Sequence, residues 1–205
     1  EGVVPGTLEG GTGALGILLA PGAGAGSGHP WMVAMRSLLA AALPVMTFDY
    51  RYATEGRRSP DRMPTLLAVH RAAADRLAGE VDRVILAGKS MGGRIGSHLA
   101  GDEEWPAAGL VYFGYPLVAL GRGEPRDTSH LLHIDAPQLF FAGSRDRLSP
   151  PPLMAPIVAG LARGRLEVIE DADHSFAVPK RSGGTQAEVL RNLAATTIEW
   201  AAAIC

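Results

Sequence analysis

The sequence predicts an α/β fold: a doubly wound, mostly parallel sheet of about six or seven strands flanked by helices. Three observations predict it. Six short runs are apolar at successive positions, over residues 15–20, 45–50, 83–87, 109–114, 138–142 and 165–169. A run that is apolar on both faces suits a strand covered by helices above and below, which is the habit of parallel sheets. Helical patterns lie between these runs, so strand and helix alternate along the chain. No repeat and no Pro-, Gly- or Ser-rich linker interrupts the alternation, so residues 1–205 are expected to form one domain.

The first run leads into a glycine-rich stretch, Pro21-Gly22-Ala23-Gly24-Ala25-Gly26, and His29 then opens a helix. After the second run, residues 51–64 carry Arg51, Arg57, Arg58 and Arg62 together with Pro60 and Pro64. This segment reads as an exposed loop with solvated charges rather than as an anion site. Over 65–78, Leu66, Val69, Ala73 and Leu77 recur at spacings of three and four, the mark of a helix with one buried face. The connection over 116–137 has room for a short helix or flap, but not for a large lid. The last helix opens on Thr185-Gln186-Ala187-Glu188, a capping-box pattern, and its buried stripe is expected at Leu190, Leu193, Thr197 and Ala201.

Composition narrows the function classes. The 205 residues are enough for a substantial core. Apolar residues make up 47% and aromatics only 6%, so that core is built mainly from Ala, Leu, Val and Ile. A net charge of −2 gives no general attraction to nucleic acid or to an anionic membrane. The apolar run at 15–20 is too short to span a bilayer, and no basic segment precedes it as in a signal peptide. The single cysteine, Cys205, allows no internal disulfide. A cytoplasmic protein without nucleic-acid or membrane partners is therefore expected.

The chemistry centres on Gly88-Lys89-Ser90-Met91-Gly92. It follows the strand-like run at 83–87 and precedes a helix-like stretch, the setting of a nucleophile elbow. Such a turn projects the serine hydroxyl away from the sheet. It also crowds the positions two before and two after the serine, which favours glycine at both. A serine hydroxyl is a weak nucleophile at neutral pH and needs a base. His174 is the candidate, in Glu170-Asp171-Ala172-Asp173-His174-Ser175-Phe176, just past the last strand. Loops that follow the strands of a parallel sheet gather at one edge. His70 and His98 fall inside helical patterns, His130 and His133 lie in the long connection, and His29 opens a helix. A carboxylate must orient the imidazole and stabilise its cation. Asp146, in Gly143-Ser144-Arg145-Asp146, follows the strand at 138–142 at the same edge. Asp173 adjoins His174, and adjacent side chains in a loop rarely converge, so Asp171 is the stronger competitor. The oxyanion donors are expected to be the backbone N–H groups of Met91 and Ala23, with Gly24 as the alternative to Ala23. Gly22, Gly24, Met91, Tyr115, Leu148 and Phe176 are the expected surroundings of the substrate.

Other motif readings fail. In Gly22–Gly28 no register gives G-x-G-x-x-G, because Ser27 or His29 falls where the last glycine belongs. Gly88-Lys89-Ser90 resembles the end of a phosphate-binding loop, but Arg83 stands where that loop needs glycine. His130-Leu131-Leu132-His133 lacks the acidic partner of a zinc helix. Neither a metal nor a cofactor is expected.

With these residues in the order Ser90, Asp146, His174, the chain resembles the α/β-hydrolase superfamily along nearly its whole length. More narrowly it is similar to the small, lid-poor branch near the dienelactone hydrolases and their uncharacterised "predicted hydrolase" relatives. Gly88-Lys89-Ser90-Met91-Gly92-Gly93-Arg94 and Phe113-Gly114-Tyr115-Pro116-Leu117 carry that narrower match. The resemblance implies Ser90 as nucleophile, Asp146 as acid and His174 as base. Typical dienelactone hydrolases use cysteine where this chain has Ser90, so their substrate is not carried over. Many members begin with two further strands, for which residues 1–13 leave little room, and Pro21-Gly22 replaces the usual His-Gly of the oxyanion loop. The expectation is a cofactor-independent serine hydrolase cleaving an ester or thioester of a small substrate. The alternative is a non-catalytic binding or scaffold protein on the same fold.

Overall fold

One mixed sheet organises the chain in the computed structural model, which describes residues 6–11, 13–119 and 123–204. Its strands are β1 (Gly6–Glu9), β2 (Leu15–Ala20), β3 (Val45–Phe48), β4 (Arg83–Lys89), β5 (Gly109–Phe113), β6 (Gln138–Gly143) and β7 (Gly164–Ile169). Between and after them lie α1 (Pro30–Ala40), α2 (Arg51–Thr54), α3 (Met63–Ala78), α4 (Met91–Gly101), α5 (Pro151–Ala159) and α6 (Gln186–Ala203). The sheet order is β1-β3-β2-β4-β5-β6-β7. All neighbouring pairs are parallel except β1 with β3.

The fully apolar strands follow from this layering. In β2, Ile17 and Leu19 pack with Trp31, Met35 and Leu39 of α1 and with Leu190 and Leu193 of α6. Leu18 and Ala20, one position off, pack on the other face with Leu66 and Leu77 of α3 and Ile95 and Leu99 of α4. Each such Leu or Ile side chain contributes about 1.5–3 kcal/mol on full burial, so both faces of a central strand must be apolar. The connections leave β2 and β4, which are neighbours, toward opposite faces. That strand-order switch opens a crevice at their carboxyl ends, the usual place for a ligand in an open α/β sheet.

The final helix forms as its sequence indicates. The Thr185 Oγ1 accepts the Glu188 N–H at 3.3 Å, and Glu188 Oε2 accepts the Thr185 N–H at 2.7 Å. Leu190, Leu193, Thr197 and Ala201 are all buried. In α3, Leu66, Ala73 and Leu77 are buried, and Val69 is half-buried against the same core.

Two segments differ from the sequence reading. β1 is a short, largely polar edge strand, Gly-Thr-Leu-Glu, which offers no apolar run to read. It pairs antiparallel to β3, with Gly6 opposite Phe48. Residues 51–64 are not wholly loop. Their first turn is α2, held because Tyr52 is fully buried in the core. The arginines there are partly paired, Arg51 with Glu55 and Arg57 with Asp61, each at 2.7 Å. Exposed pairs of this kind are screened by water and contribute little, so the burial of Tyr52 decides the local structure. Among its described residues, the long connection holds a 3₁₀ turn, Ser129–His133, and a bridge between Val118 and Pro125.

Candidate active site

Ser90 sits between β4 and α4 with φ 49° and ψ −114°. A non-glycine residue at positive φ is strained by about 1–3 kcal/mol and persists only where its surroundings fix it. Here the Ser90 N–H donates to Phe113 O at 3.0 Å, while Ser90 O accepts the Arg94 N–H at 3.2 Å. The flanking glycines permit the turn. A Cβ on Gly88 would lie 2.2 Å from Gly93 N, and one on Gly92 would lie 2.6 Å from the carbonyl oxygens of both Ala20 and Pro21.

His174 and Asp146 reach Ser90 from the loops after β7 and β6. The His174 Nε2 is 2.9 Å from Ser90 Oγ, and its Nδ1 is 2.7 Å from Asp146 Oδ2. An ionised carboxylate only accepts, so the ring proton belongs on Nδ1 and Nε2 is left to accept from the Ser90 hydroxyl. Asp146 Oδ1 accepts the N–H groups of Leu148 at 2.8 Å and Ser149 at 3.1 Å. Burial pushes the Asp146 carboxyl up. The hydrogen bond and charge of His174, with the two amides, outweigh it and hold the acid below its usual range. It therefore stays ionised at neutral pH.

The two loops are sewn together. Arg145 N–H donates to Ala172 O at 3.0 Å, and Asp171 N–H donates to Ser144 Oγ at 2.8 Å. Gly114, at φ +72°, leaves the space that the His174 ring occupies, since a Cβ there would come within 3.2 Å of that ring. The competing acids are engaged elsewhere. Asp171 accepts the Ser182 hydroxyl at 2.7 Å, and Asp173 accepts the amides of Ser175 and Ala177 at 2.8 and 3.0 Å.

On the other side of Ser90, Met91 is the first residue of α4, where an N–H has no intrahelical acceptor. The loop after β2 lies against the elbow, because a Cβ on Gly22 would be 3.7 Å from Ser90 Cβ. The Gly24 N–H donates to the Tyr52 hydroxyl at 3.3 Å, and that hydroxyl donates to Gly22 O at 3.4 Å. Ala23 lies between these two anchored residues and is exposed. Asp49 fixes the far end of the loop, accepting the Ser27 N–H at 2.5 Å and the Ser27 hydroxyl at 2.9 Å. Asp49→Ala frees both groups, and hydrogen exchange over residues 22–27 is expected to accelerate about tenfold or more. Mass-resolved exchange on the two proteins checks this.

Met91 and Leu148 are half-buried at the rim. The expected pocket walls Tyr115 and Phe176 are buried. They are 1% and 0% exposed, so they lie beneath the site rather than lining it. Tyr115 packs on Tyr112 and Phe140, and Phe176 stacks on Trp31. Sequence reasoning missed Asp49, Tyr52 and Gly114 as supports of the site. Among the described residues, no group of three or more His, Cys, Asp or Glu side chains is placed to hold a metal ion. No described helix is long and apolar enough to cross a membrane.

The sequence model of a family described as "Alpha/beta hydrolase domain" matches residues 14–202. The chain belongs to this α/β-hydrolase family. Solved structures share its fold at low identity. Est1E from Butyrivibrio proteoclasticus with ferulic acid bound superposes with a TM-score of 0.76 at 15% identity, covering 96% of this chain and 94% of the other. An α/β serine hydrolase without lid from Xanthomonas campestris gives 0.73 at 18%, covering 95% and 88%. A monoacylglycerol lipase from Paleococcus ferrophilus gives 0.76 at 15%, covering 99% and 100%. In this α/β-hydrolase domain the loops after β2, β4, β6 and β7 converge on Ser90 at the carboxyl edge of the sheet.

Proposed function

We propose that this α/β-hydrolase is a cofactor-independent serine hydrolase that cleaves an ester or thioester of a small substrate through an acyl-enzyme. The observation that supports this most is the chain of hydrogen bonds from Ser90 through His174 to Asp146, at 2.9 and 2.7 Å. In this reading Ser90 Oγ attacks the substrate carbonyl carbon while His174 Nε2 takes the hydroxyl proton. Asp146 remains ionised and stabilises the imidazolium. The oxyanion is received by the N–H groups of Met91 and Ala23, each such donor being worth roughly 3–4 kcal/mol in the transition state. The tetrahedral intermediate collapses, the alcohol or thiol leaves with the proton from His174, and Ser90 is left acylated. Water, deprotonated by the same histidine, then releases the acid and restores Ser90.

Among the described residues, the connection over 116–137 holds one 3₁₀ turn and one bridge, which supports an open site that takes small or extended acyl groups. The neighbours named as a lid-less serine hydrolase and a monoacylglycerol lipase are consistent with ester chemistry. Turnover of p-nitrophenyl esters from acetate to octanoate tests the reading. Hydrolysis is expected for the short chains and is expected to vanish in Ser90→Ala. Equal rates in the two proteins would refute it and favour the non-catalytic alternative.

A further inference from the structure

We propose that Lys89 is a positioning residue: its ammonium, held over the faces of Trp31 and Phe176, fixes the turn that presents His174 to Ser90. The inference rests on the hydrolase reading for its kinetic consequence, but not for its structural one. Lys89 ends β4 and directly precedes Ser90. Its Nζ lies 5.9 Å from the Trp31 ring centre and 5.7 Å from that of Phe176, within the reach of a cation–π contact. The two rings stack on each other at 6.5 Å and 30°. Phe176 is fully buried and strained at φ 59°. It belongs to the same tight turn as His174, closed by Phe176 N–H to Asp173 O at 2.9 Å and Asp173 N–H to Ala177 O at 3.0 Å. Trp31 lies in the first turn of α1, directly after the loop that holds Ala23. The amine thus touches the element behind the oxyanion loop and the element behind the base, from the strand that carries the nucleophile.

Burial lowers the Lys89 amine from 10.5 to about 8, against the opposing pull of Asp146 and then Asp173. Those carboxylates face it from the loops after β6 and β7, and His174 shares the second loop. From α1 the titratable neighbour of Trp31 is the N-cap His29, whose Nδ1 accepts the Trp31 N–H at 3.2 Å. No described carboxylate forms an ion pair with Lys89, so the aromatic faces are its main partners. Above about pH 8 the amine is neutral and that attraction is lost; below it the cation is present.

The test follows the His174 ring carbon–proton resonance from pH 6 to 10 in the wild type, Lys89→Met and Lys89→Arg, assigned by its loss in His174→Gln. Ester turnover is measured in the same series. An inflection near pH 8 is expected in the wild type and in neither variant, because methionine is never charged and arginine stays charged. In Lys89→Met, kcat is expected to fall about three- to thirtyfold with KM nearly unchanged, with partial recovery in Lys89→Arg. An inflection that persists in Lys89→Met, or is absent from the wild type, overturns the assignment. Full kcat in Lys89→Met overturns it as well. A wild type that hydrolyses no ester but loses the inflection on Lys89→Met leaves the positioning role standing and removes the hydrolase reading. Ester turnover with an unchanged His174 profile does the reverse.

Discussion

Asp146→Asn is expected to lower kcat by about 10⁴-fold while leaving the fold intact. The asparagine oxygen keeps the place that accepts the Leu148 and Ser149 amides, which lie 2.8 and 3.1 Å from Oδ1 in the wild type. Its NH₂ group then faces His174 Nδ1, where the carboxylate accepted at 2.7 Å. A donor there drives the ring proton to Nε2, and Nε2 can no longer take the Ser90 proton. The imidazolium also loses its counter-charge. Steady-state kinetics beside a thermal melt check both halves of this expectation. A variant that melts like the wild type and retains more than about a tenth of kcat would show that Asp146 does not orient the base.

Gly88→Ala is expected to cost roughly 3 kcal/mol or more of stability and to remove activity with it. Its Cβ would lie 2.2 Å from Gly93 N and 2.4 Å from Gly92 C, backbone atoms of α4 that cannot rotate aside. Relief requires α4 to move off the sheet, and Ser90 moves with it. Gly28→Ala is the control, because a Cβ at Gly28 meets nothing within 4 Å. That substitution is expected to change stability by less than about 0.5 kcal/mol. Urea unfolding of the two variants and the wild type measures the contrast. Similar midpoints for all three would mean that the elbow is not packed as tightly as the structure has it.

What was legible in the sequence is what local pattern and chain order determine. The apolar runs mark buried strands because both faces of a central strand meet helices, and the capping box at Thr185 marks the start of α6 because its bonds span only three residues. The order Ser90, Asp146, His174 was informative because every loop after a parallel strand emerges at one edge. The alternative acid Asp171 was separable only in three dimensions, where its carboxylate turns to Ser182. The supports of the loop after β2 were not legible. Tyr52 reaches Gly22 and Gly24 across 30 and 28 residues, and Asp49 reaches Ser27 across 22. Such contacts leave no periodic trace. β1 escaped for the opposite reason, since a polar edge strand needs no apolar run to pair with β3. Tyr115 and Phe176 stood near the site in sequence but are drawn under it by the burial of their rings.

Whether Ser90 is an activated nucleophile is read from intact mass after incubation with a fluorophosphonate probe, because an activated Ser90 Oγ displaces fluoride from phosphorus and retains the phosphonyl group whatever the natural substrate is. A single adduct on the wild type that is absent from Ser90→Ala is the expected result. Folded wild-type protein that takes up no adduct, or an adduct that survives in Ser90→Ala, would contradict it.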